Sequence, residues 1–180
     1  HKVYNKAIDF AIQENVGSLV LVHDDVILEN FTEDKLKELF KKYDVVGCAG
    51  SKEVNLKPPA LWHLMGGGFS SPNLHGAVAH LDDKGKKRMT SFGSYPNRAV
   101  IIDGVFMAIK RKVFQKIRFD ESCPSKWHFY DLDYSMQCHK AGFKVGVGDI
   151  LVTHNSPGLE SFSEEFIKGQ EWFLNKWKTK

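Results

Sequence analysis

The sequence predicts an α/β fold, and three observations carry that expectation. Wholly apolar runs too short for helices read as strands buried on both faces, amphipathic helical patterns alternate with them, and polar or glycine-bearing joints close each unit. Val3, Tyr4, Ala7, Ile8, Ala11 and Ile12 recur at helical spacing, with Gly17 as a stop. Residues 18–22 (SLVLV) form a continuous apolar run that ends abruptly in His23, Asp24 and Asp25. Thr32 is a good N-cap, with Glu33 and Asp34 in the first turn and Leu36, Leu39, Phe40 and Tyr43 on one face. Residues 45–49 read as the next buried strand, closed by Gly50. Strand, helix, strand in this order points to a right-handed crossover and a mostly parallel sheet.

Residues 51–98 differ in character. They hold Pro58, Pro59, the triplet Gly66-Gly67-Gly68 and the turn Asp82-Asp83-Lys84-Gly85. A hairpin pairing 77–81 with 88–92 fits that turn, and the whole stretch reads as an excursion beside the sheet. Strands are expected again at 99–102 and 105–109, split by Asp103-Gly104. A helix follows over 131–141 with Gly142 as its left-handed cap. Two short strands, 144–147 and 150–153, lead to His154. The tail, 159–178, opens with Ser161 and Glu164 as a capping box and continues as an amphipathic helix carrying Phe162, Phe166, Phe173 and Trp177. Its Trp172, Phe173 and Trp177 beside lysines fit packing on the body, with a partner or a membrane surface as other readings. The expected organisation is one domain spanning 1–180.

Composition bounds the function. The chain has 180 residues, 25 Lys+Arg against 22 Asp+Glu, 42% hydrophobic and 26% charged residues, which argues against global disorder. The net charge of +3 comes without a long basic block, so a dedicated nucleic-acid binder is not expected. No apolar run approaches the roughly 18–20 residues that span a bilayer, and no signal peptide is visible. Cys48, Cys123 and Cys138 lie far apart and are odd in number, which suits a reducing compartment and a cytoplasmic location, with peripheral membrane contact as the other placement.

Four groups can carry chemistry. His23-Asp24-Asp25 stands where a strand ends, the rim at which open α/β sheets bind ligands. Two carboxylates and an imidazole there suit a hard divalent cation, or form a polar turn that caps backbone amides. In Trp127-His128-Phe129-Tyr130-Asp131-Leu132-Asp133, the carboxylates at i and i+2 point to different faces. One can serve as a general base, or both can favour the helix dipole. His154 can complete a cation site begun by Asp25, or act as a hydrogen-bonded structural residue. Asp103-Gly104 lets a ligand approach the backbone, or forms a tight turn. Trp62 can stack on a sugar or base, or pack locally. Gly66–Gly68 lacks the following Gly-Lys-Ser/Thr of a P-loop.

Taken in order, HDDV, VVGCAG, the glycine-bearing loop, IDGVFMAIKR, RFDE, WHFYDLD, AGFKV and VTHNSPG resemble the family-two-like glycosyltransferases of the glycosyltransferase A fold, over about residues 4–158. The resemblance implies a single-domain, Rossmann-like three-layer sandwich. It implies a divalent metal, Mn²⁺ or Mg²⁺, bridging a nucleotide-diphosphate sugar, with Asp25, His154 and His23 at the metal and Asp24 toward the ribose. His23 stands where relatives carry the first aspartate of an Asp-x-Asp motif. Asp131 matches the base that deprotonates the acceptor hydroxyl, with Asp133 and His128 behind it. Asp103 and Gly104 match the region that contacts the donor sugar, and Trp62 is expected beside them as a stacking ring. A single in-line displacement, hence inversion, follows. The acceptor would be a glycan, a lipid-linked glycan or a protein. In relatives a strand–helix unit before the first helix helps bind the base, whereas this chain opens at His1 directly in a helix, so the fold is expected without that unit. A non-catalytic carbohydrate- or nucleotide-binding relative is the alternative, and a metal-dependent phosphoester hydrolase the third reading.

Overall fold

The computed structural model describes residues 1–82, 84–156 and 162–178. In chain order the elements are α1 (Lys2–Gln13), β1 (Ser18–Val22), β2 (Val26–Leu28), α2 (Glu33–Lys42), β3 (Val45–Gly47), β4 (Ala49–Ser51), α3 (Trp62–Met65), β5 (Leu74–Leu81), β6 (Lys87–Gly93), β7 (Asn97–Arg98), β8 (Ile101–Ile102), β9 (Phe106–Lys110), α4 (Arg111–Phe114), α5 (Tyr130–Lys140), β10 (Val145–Val147), β11 (Val152–His154) and α6 (Glu164–Lys178).

The α/β class holds, with helices on both faces of a central sheet of order β1-β9-β3-β10-β7. Strand alternation explains the layers. On one face Leu21, Val45, Met107, Ile109 and Val145 meet Ile8 and Ala11 of α1 and Tyr134 and Cys138 of α5. On the other, Val46, Phe106 and Ala108 join Leu36 and Leu39 of α2. Successive residues of β9 thus feed opposite cores, as a strand covered on both sides requires. Local signals act as expected in α2: Thr32 Oγ1 accepts from Lys35 N at 3.2 Å and caps the helix, and lysines 41 and 42 close its last turn.

The pairing corrects one expectation. Among the described residues the parallel ladders are β10 with β3 and β11 with β5. The others are antiparallel. β1 and β3 do run the same way on either side of α2, but β9 lies between them, antiparallel to both. A strand–helix–strand pattern sets relative direction; it does not stop a later strand from taking the place between.

The stretch 45–49 is not one strand. The chain leaves the first sheet at the fully buried Cys48 and enters a second, of order β2-β11-β5-β4-β8, with β6 on β5. Residues 51–98 therefore do more than run beside a sheet: β5 is an interior strand of the second one, between β11 and β4. The expected hairpin forms, with Asp82 Oδ1 accepting from the amides of Lys84 and Lys86. At the tail, Ser161 lies outside the described residues, and Ser163 Oγ accepts from Phe166 N at 3.1 Å. Phe166, Phe173 and Trp177 are buried, so α6 packs on the body as expected, while Phe162 is exposed. Among the described residues no helix is long and apolar enough to cross a membrane.

Candidate active site

Three segments distant in sequence meet at one rim of the central sheet. His23 follows β1, the Asp103-Gly104-Val105 turn precedes β9, and β9 pairs with β1 so that Val22 faces Phe106. β11 brings His154 alongside Val26 and His80. The Asn155 amide donates to the Asp25 carbonyl at 2.9 Å, which pins the turn after β1 to the end of β11.

His23, Asp25 and His154 each present a ligand-type atom, all within 4.8 Å of one another. His154 Nε2 lies 3.1 Å from Asp25 Oδ1 and 3.4 Å from His23 Nδ1. Burial pulls the His154 pKa down; Asp25 opposes this, and the neighbouring His23 and His80 reinforce it. A neutral imidazole is the ligand form, so the donor chemistry fits a divalent cation. Asp24 is exposed in the same turn.

Asp131 sits at the start of α5, where its Oδ2 accepts from Gly104 N at 2.8 Å. Gly104 is needed there, because a Cβ would come within 2.2 Å of Tyr130 Oη and 2.9 Å of Asp131 Cβ. Burial, and then the neighbouring Asp103 charge, push the Asp131 carboxyl up to about 7, although the residue is partly exposed. Asp103 is held on both oxygens, by Val105 N at 3.0 Å and Trp62 Nε1 at 2.8 Å.

The two groups are joined by a residue to which the sequence reading gave no role. Tyr130 Oη is 2.7 Å from His23 Nε2. The Tyr130 ring packs against that of Tyr4, centroids 5.3 Å apart, and burial pushes the Tyr130 pKa well up, so its hydroxyl keeps its proton. A neutral phenol oxygen has lone pairs with which to accept from a His23 Nε2–H. The available signal was its position immediately before Asp131.

Other expected residues lie elsewhere. Trp62 belongs to α3 and is buried, its ring against Phe92 at 4.6 Å, so it reaches the site through Asp103 and not as an open stacking face. Asp133 diverges from Asp131 as its spacing requires: it is buried, accepts from Trp177 Nε1 at 2.9 Å and pairs with Lys176 at 2.7 Å. His128 packs on Phe166, with ring centroids 5.2 Å apart. Asp133 and His128, expected behind a base, therefore face α6 and tie it down.

The chain belongs to the glycosyltransferase-like family, whose model matches residues 2–171. Among solved structures it is similar to A197 from STIV, at 14% identity and a TM-score of 0.50, over 85% of this chain and 65% of that one. This likeness concerns the fold. The inositol-1-phosphate CTP transferase from T. maritima aligns at 14% identity and a TM-score of 0.34, over 95% of this chain and 62% of that one, too low a likeness to carry an argument. The chain thus spans slightly less than two thirds of the length of either. No curated protein matches it.

Proposed function

We propose that this chain transfers a sugar from a nucleotide-diphosphate donor to an acceptor hydroxyl, with inversion and with help from a divalent cation. The observation that carries the reading is the convergence of His23, Asp25 and His154 within 4.8 Å, linked through Tyr130 to the Gly104–Asp131 contact.

His23 Nδ1, Asp25 Oδ1 and His154 Nε2 would hold the ion. Two imidazoles and one carboxylate favour Mn²⁺ over the harder Mg²⁺, which prefers oxygen ligands. When bound, such an ion neutralises a diphosphate and makes it a better leaving group. Asp131, with a pKa near 7, accepts the proton of the attacking hydroxyl at neutral pH. The Gly104 amide holds its Oδ2 in place. Asp103, oriented by Trp62 and Val105, raises the basicity of Asp131 through its charge and borders the donor sugar. Asp24, exposed in the turn beside the cluster, would hydrogen-bond the ribose. A base on one side of the anomeric carbon and a leaving group on the other give a single displacement and inversion.

The test uses a panel of UDP- and GDP-sugars. Mn²⁺ is expected to promote nucleoside-diphosphate binding, and Asp25→Ala to abolish that metal effect. Asp131→Asn should retain binding and lose nucleoside-diphosphate release by at least about 10²-fold, the scale of a general base. Full turnover in Asp131→Asn refutes the base assignment, and a retained product anomer by NMR refutes inversion. Metal-independent sugar binding with no donor turnover would establish the non-catalytic alternative.

A further inference from the structure

We propose that Tyr130 is the positioning residue of the cation site: its hydroxyl accepts from His23 Nε2 and so turns His23 Nδ1, unprotonated, toward Asp25 and His154. This rests on the metal-assisted reading above and assigns to that site a residue beyond its three ligands.

An imidazole binds a cation only through a nitrogen that carries no proton, and the partner of the other nitrogen decides which one that is. His23 offers two faces. Its Nε2 meets Tyr130 Oη at 2.7 Å, and its Nδ1 faces His154 Nε2 at 3.4 Å. His154 Nε2 is 3.1 Å from Asp25 Oδ1, so in the ion-free protein a proton on that nitrogen serves the carboxylate and His23 Nδ1 together. This leaves His23 Nδ1 as acceptor and Nε2 as donor. Cation entry then requires a proton shift only at His154, because His23 is already in its ligand form.

Tyr130 can hold this role because packing fixes its place. It is buried, and its ring lies 5.3 Å from Tyr4 and 6.2 Å from Phe119, centroid to centroid. Its hydroxyl sits where a Cβ on residue 104 would come within 2.2 Å. The Gly104 amide is in turn bound to Asp131, the next residue in the chain. One short stretch of backbone therefore aligns the cation ligand with one side chain and presents the base with the next. Removing the hydroxyl frees the His23 ring to exchange tautomer or flip, while the packing of the aromatic ring survives.

Two measurements test this. Histidine-selective long-range ¹H–¹⁵N spectra of the ion-free wild-type protein should show His23 protonated at Nε2. Mn²⁺ titration followed by electron paramagnetic resonance should show affinity about 10–100-fold weaker in Tyr130→Phe, the usual scale for loss of such an outer partner. Tyr4→Phe, which leaves the Tyr130 hydroxyl in place, should shift affinity less than about threefold. A His23 proton on Nδ1, unchanged Mn²⁺ affinity in Tyr130→Phe, or an equal loss in Tyr4→Phe overturns the role of Tyr130 while leaving the cation site standing. Absence of Mn²⁺ binding in the wild type overturns both. If Tyr130→Phe does not fold, the wild-type tautomer alone decides.

Discussion

Asp131 holds a charge that its surroundings disfavour. Burial and the adjacent Asp103 lift its carboxyl from an ordinary value to about 7. A pKa raised on folding gives a contribution fully present below the unfolded value and lost as pH rises through the folded one. Asp131→Asn should therefore change stability little near pH 4. By pH 8 it should stabilise the protein by about 2–4 kcal/mol, the size of a shift of about three pH units at 1.36 kcal/mol each. Urea unfolding at the two pH values checks this, and an equal gain at both would mean that the charge is not the cause. Paired with loss of turnover, it would mark Asp131 as a group kept for chemistry at the expense of stability. Asp131 itself was legible from its motif. Its raised pKa was not, because Asp103 lies 28 positions earlier and comes near only through the turn before β9.

At the scale of elements, α6 supports the start of α5. Phe129, just before α5, adopts φ 68°, a left-handed conformation that bulky residues avoid and that costs on the order of 1–3 kcal/mol. Its ring is held by Phe166 at 5.0 Å and Phe173 at 5.8 Å. Gly169 makes room for it, since a Cβ there would lie 2.7 Å from Phe129 Cδ2. Nearby, Lys176 bridges Asp120 at 2.6 Å and the buried Asp133 at 2.7 Å. Removing one partner leaves the other charge buried and uncompensated. Lys176→Ala should cost about 3 kcal/mol in denaturant unfolding, and Lys176→Ala with Asp133→Asn should recover part of the loss. An undiminished loss in the double variant would place its source outside the pair. Helical periodicity announced an apolar face on the tail and diverging directions for Asp131 and Asp133. It contained nothing about Lys176, whose partners lie 56 and 43 positions away.

For the molecule as a whole, a cation held at the proposed site would join the turn after β1 to the end of β11, and so the first sheet to the second. An ion that binds only the folded state must stabilise it, by about 2.7 kcal/mol at a hundredfold excess over Kd. For a chain of this size that corresponds to a rise of about 5–11 °C at roughly 2–4 °C per kcal/mol. Thermal unfolding with Mn²⁺ and then with a chelator should show the rise and its reversal, and Asp25→Ala should show neither. The same rise in Asp25→Ala would put the ion elsewhere.

The sequence by itself determined the strand after α1 and its polar end, the capped α2, the 82–86 hairpin turn, the helix beginning beside Asp131, and the residue types fit for a cation and a base. These follow from periods of two and 3.6 and from turn chemistry, which act over a few neighbouring residues. Only the tertiary structure decided that β9 divides β1 from β3, that β5 lies inside a second sheet, that Trp62 serves Asp103, and that Tyr130 joins His23 to the segment carrying Asp131. Each of these depends on which distant surfaces bury one another best, a free energy spread over the whole chain and absent from any local window.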